Sequence, residues 1–91
     1  MKQIQTVEDV YPALDELAVE LKTAGEPRLA AILHHRIHRV AWTARSELFE
    51  ELQKVLTKAL ESEGANLPEP LRNQMHQALR VINSYLKDAE P

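Results

Sequence analysis

The chain has no cysteine. Disulfides, thiolate metal sites and cysteine nucleophiles are excluded together. A small secreted domain usually needs such staples, so a reducing cytosol is the expected setting. Glycine is scarce, with two in 91 residues, and aromatic residues make up only 4% of the chain. A Gly-rich phosphate cradle and a stacked aromatic array for bases are therefore both missing. No apolar run approaches a membrane span, and no signal peptide is expected from the opening MKQIQTVEDV.

Two further absences are local. From Arg28 to Glu63 there is no Gly, Pro, Asn or Asp, so the usual turn-forming residues are missing over that whole stretch. From Pro27 to Ser46 there is also no acid, while Arg28, Arg36, Arg39, Arg45 and three histidines fall there. The next block, Glu47 to Glu63, reverses the sign, with five glutamates against Lys54 and Lys58. Residues 1–26 carry six acids against two lysines, and residues 64–91 balance. The formal net charge is -3, which argues against general nucleic-acid binding. The simplest arrangement lays the acidic first helix antiparallel on the basic segment. Each exposed ion pair contributes only about 0–1 kcal/mol, so the pattern chooses which faces meet more than it holds them.

What is present is helical periodicity. The length gives one domain, small enough that its stability is marginal. Nothing reads as strand. A first helix is expected from Asp9, as N-cap, to about 24, with Pro12 in its first turn and a stripe of Val10, Leu14, Leu17 and Leu21. A start at Thr6 is set aside because it places Pro12 inside the helix, at a cost of about 3 kcal/mol. Gly25 then serves as a left-handed cap and Pro27 as the first residue of the next helix.

With no breaker in the way, the spacing predicts one continuous helix from 27 to about 62, roughly 54 Å long. Its stripe runs through Leu29, Leu33, Ile37, Val40 and Ala44, then widens to Leu48, Phe49, Leu52, Val55, Leu56, Ala59 and Leu60. So wide a stripe needs more than one neighbour. That requirement fits a bend near 43–46, where Thr43 or Ser46 can cap a new helix, or a second chain. Asn66 with Glu69 suggests a capping box for a last helix over 67–87, with Pro68 in its first turn. Lys87 to Pro91 are expected to fray.

The expected fold class is all-α, a small bundle of three helices with a long central one, straight or bent. The alternative is a compact four-helix bundle with a break near 43–46. In the three-helix form each half of the rod is thinly covered. Two chains side by side would complete a four-helix cross-section, which points to a homodimer.

Few residues suggest chemistry. His34 and His38 lie one turn apart and can both reach a Zn²⁺, but no thiol is available and no acid lies between Pro27 and Ser46. His35 occupies the place where a zincin carries its glutamate, so that motif fails. The arginines of the basic segment 28–45 can contact phosphates, yet they spread around a helix and an acidic stretch follows. The sequence therefore points to a non-enzymatic, cytoplasmic, self-associating helical interaction module, an adaptor or regulator, with no cofactor. Its expected partner-binding surface is Trp42, Arg45, Phe49, Leu56 and Leu60. A metal-binding protein using His34 and His38, and a nucleic-acid-binding protein, are the alternatives.

Overall fold

In the computed structural model, which describes residues 4–40, 42 and 44–89, the first helix is fixed by its cap. Helix α1 (Val7–Thr23) starts after Thr6. The Asp9 N–H donates to Thr6 Oγ1 at 3.3 Å, and the Thr6 N–H donates to Asp9 Oδ2 at 3.0 Å. This reciprocal box satisfies two backbone donors at once. Asp9 is thus the third residue of the helix and not its cap, and Pro12 lies inside the helix. Proline there removes a bond to the carbonyl of Glu8. Both residues are exposed, so water can reach that carbonyl. The two-sided cap and the burial of Val10, with Val7 packed on the core, offset the cost that the sequence argument treated as decisive.

The other end of α1 behaves as its sequence implies. Gly25 has φ 89°. The Glu26 N–H donates to the Leu21 carbonyl at 2.8 Å, and the Gly25 N–H to that of Lys22 at 3.3 Å. These are the two bonds of a Schellman cap. Pro27 opens helix α2 (Pro27–His38).

The long helix is not continuous. Helix α2 ends at His38 and helix α3 (Arg45–Glu63) begins after Ala44, whose backbone is extended at φ -141°, ψ 151°. The molecule is 39 Å in its longest dimension, too short for a rod of roughly 54 Å. The break falls at 39–44, overlapping the 43–46 of the compact alternative. The residue at the cap position is Ala44, which offers no side-chain bond; Ser46 lies inside α3, and the other expected cap, Thr43, lies outside the described residues. Folding α3 back on α2 buries Leu48, Phe49, Leu52 and Leu56, and that burial outweighs local helix propensity.

A single 3₁₀ turn, Gly64–Asn66, leads into helix α4 (Glu69–Ala89). The Pro68 carbonyl accepts from the Leu71 and Arg72 N–H groups, both at 3.1 Å. Asn66 therefore belongs to the turn, the expected Asn66–Glu69 box does not start the helix, and Pro70 takes the first-turn place given to Pro68. The helix continues through Lys87 and Asp88, where fraying was expected.

Among the described residues the all-α fold is thus a bundle of four helices, the compact alternative, and not three. Helix α1 packs on α2, α2 on α3, α3 on α4 and α4 on α1, closing a ring. Leu14, Leu17, Leu21, Leu33, Leu52, Met75 and Ile82 have no exposed surface at its centre. Ile4 is buried as well, and its N–H donates to Gln77 Oε1 at 3.3 Å, tying the segment before α1 to α4. One chain completes the four-helix section for which two were expected.

Replacing Thr6 with Ala should lower stability by about 1 kcal/mol, through the lost cap. Gly25→Ala should cost roughly 1–2 kcal/mol although a new Cβ there meets nothing within 4 Å, because the strain is in the backbone alone. Urea unfolding checks both. The midpoints should fall with unchanged slopes, and an unshifted Gly25→Ala midpoint would contradict the left-handed cap.

Candidate functional site

The five residues expected on one binding stripe are placed in different environments. Phe49 and Leu56 have no exposed surface. The Phe49 ring stands edge-on to Tyr85 at 5.0 Å and tilted to Tyr11 at 5.9 Å, so it joins α1, α3 and α4. Trp42 is half-buried, and its indole N–H donates to the Arg36 carbonyl at 2.6 Å. That bond supplies a partner to the last turn of α2, whose carbonyls have none within the helix. Leu60 is half-buried beside a shallow groove between α3 and α4, next to Arg72 and His76. Arg45 alone is exposed. It donates to Glu8 Oε1 at 3.2 Å and sits 5.8 Å from the Tyr11 ring centre. Tyr11 first, then Glu8, push its guanidinium further above its ordinary range. The stripe as a surface is therefore corrected: once the chain turns at 39–44, the seven-residue spacing of Phe49 and Leu56 points into the core.

The histidine segment lies on the outside of α2. His34 and His38 lie side by side with ring centres 4.8 Å apart and planes tilted by 44°. His38 Nε2 is 2.8 Å from Asp15 Oδ1 on α1, so the acidic first helix does lie against the basic segment. Among the described residues no three His, Asp or Glu side chains gather closely enough to hold a metal ion. The arginines do not form one ridge either. Arg36 is paired with Glu51 at 3.3 Å and Arg45 with Glu8, so two of the four have intramolecular partners.

The seam between α2 and α3 carries the arrangement that sequence reading missed. It holds a groove of about 460 Å³. Leu29 and Ile32 from α2, with Val55 and Ala59 from α3, form an apolar floor. Arg28 and Arg36 rise on one side and Lys54 and Lys58 on the other, against a single acid, Glu51. Glu51 is the partner of Arg36. Arg28, Lys54 and Lys58 have no acidic partner among the described residues. Of the other α3 acids, Glu47, Glu50 and Glu61 do not line the groove.

The signal for this groove was present in the spacing. Arg28, Ile32 and Arg36 are four apart, as are Lys54 and Lys58 beside Val55, so each set shares a helix face. Only the pairing of the two faces was hidden, because it needs the break at 39–44.

No protein-family model, no curated protein and no solved structure matches the chain. The class that the fold defines is a small four-helix bundle with helices running alternately up and down. No described helix is long and apolar enough to cross a membrane.

Phe49→Ala should destabilise the fold by roughly 3–5 kcal/mol, a large share of the 5–15 kcal/mol that holds a typical domain. Thermal unfolding followed by circular dichroism checks it, and an unchanged melting temperature would return Phe49 to the surface. Excess Zn²⁺ should leave the melting curve in place. A rise that the pair His34→Ala, His38→Ala abolishes would restore the metal reading.

Proposed function

We propose that the chain is a non-enzymatic helical protein-interaction module, an adaptor or regulatory subunit, whose contact surface is the groove between α2 and α3. One observation carries this reading. Three cations with no acidic partner among the described residues surround an apolar floor in a chain whose net charge is -3. Such a grouping does nothing for the isolated fold. Like charges four apart on a helix, as Lys54 and Lys58 are, cost a few tenths of a kcal/mol. A bound chain that brings carboxylates and apolar side chains relieves that repulsion and covers the floor.

The expectation of a homodimer rested on a cross-section that two chains would complete. With that support gone, the partner of first choice is a different protein. A cytoplasmic location goes with this reading, on the ground of the missing cysteines. The nucleic-acid alternative is weakened by the engagement of Arg36 with Glu51 and of Arg45 with Glu8.

The test compares the wild-type chain with the double variant Lys54→Glu, Lys58→Glu as bait in extracts of its own cells, read by quantitative mass spectrometry. Both lysines are exposed, so the variant should melt at the wild-type temperature. A protein held by the wild type and lost from the variant is expected. Equal capture by both would remove the groove as the contact surface.

A further inference from the structure

Resting on the reading of the groove as a contact surface, we infer that its occupant is an acidic amphipathic helix of another protein, lying between α2 and α3 as a fifth helix. The backbone argues for a helix. Both walls of the groove are α-helices whose mid-helix N–H and C=O groups are already bonded. They offer no edge to an extended peptide, so the occupant must satisfy its own backbone. The groove runs from Arg28 to Arg36 on α2 and from Glu51 to Ser62 on α3. These spans are roughly 12 and 17 Å of helix axis, which two to three turns of an added helix would cover.

The floor and rim argue for its composition. Ile32 and Val55 are half-buried, while Leu29 and Ala59 are nearly covered. A strip this narrow matches the single apolar face of an amphipathic helix, anchored at i, i+3, i+4 and i+7. Arg28 on one wall, with Lys54 and Lys58 on the other, places cations on both sides of the strip. Asp or Glu residues flanking the apolar face of the incoming helix would meet both walls. A nucleic acid would meet the cations but set its charged backbone against the apolar floor.

A second copy of this chain fits less well. Its outer α1 face is acidic, with Glu16 and Glu20, but the one large apolar side chain exposed there is Val19, at 68%. One valine does not supply a stripe.

The probe is a pair of synthetic amphipathic helices of about four turns, with leucines at i, i+3, i+4 and i+7. One carries glutamates on the remaining positions and the other lysines. Each is titrated into the isotope-labelled full chain at low salt and followed by amide chemical shifts. The acidic peptide should shift α2 and α3 amides along the groove, and the lysine peptide should not. In the double variant Lys54→Glu, Lys58→Glu, affinity for the acidic peptide should fall by roughly tenfold. Equal binding of both peptides in the groove overturns the acidic partner while leaving the groove as a contact surface. Shifts confined to other faces, or no binding by either peptide, overturn the proposal. So does a chain that dimerises by itself with its α2–α3 amides protected, since a second copy is then the occupant.

Discussion

Apolar surface in excess of what a straight rod can cover is the constraint on which the rest of this structure depends. From Leu48 to Leu60 the apolar face spans too wide an arc for one neighbour. A chain of 91 residues has little other surface with which to bury it. Folding back at 39–44 is the intramolecular solution. It gives up several helical hydrogen bonds and recovers one through the Trp42 indole on the Arg36 carbonyl. A bond of that kind is worth about 1 kcal/mol net. The larger return is the burial of four large side chains of α3, Leu48, Phe49, Leu52 and Leu56, at about 1.5–3 kcal/mol each.

The end of the bundle where this turn lies also gathers the chain's aromatic and charged contacts. Tyr11, Phe49 and Tyr85 join three helices through their rings, and Arg45 closes over Tyr11 while reaching Glu8. His38 meets Asp15 across the α1–α2 seam nearby. The scarce aromatics are thus used where helices begin and end, positions at which regular ridge-and-groove packing runs out. The α2–α3 seam is different. Its walls set Arg28 on α2 across an apolar floor from Lys54 and Lys58 on α3, and among the described residues only the Arg36–Glu51 ion pair bridges them.

Much of the fold could be read from residues. Helical periodicity gave the helical class and the approximate extents of the first and last helices, Gly25 and Pro27 the first turn, and the acidic and basic blocks the meeting of α1 with α2. Errors came wherever a local rule was outweighed. Pro12 was taken to forbid a start at Thr6, but a two-sided cap compensates for it. The missing breakers favoured one continuous helix over a break near 43–46, but burial outweighs them. The candidate site failed for the same reason. Trp42, Phe49 and Leu56 look like a surface stripe only while the rod is straight.

By itself the sequence determined the helical class, the exclusion of thiol chemistry and the faces that are apolar or charged. Those properties depend on residue type and on spacing within one helix. The tertiary structure alone decided that there are four helices, that Phe49 lies inside, and that Arg28 stands across from Lys54 and Lys58. Each of these depends on contacts between residues far apart in the chain. Their free energy comes from surface buried after the chain has folded back, and no local spacing encodes it.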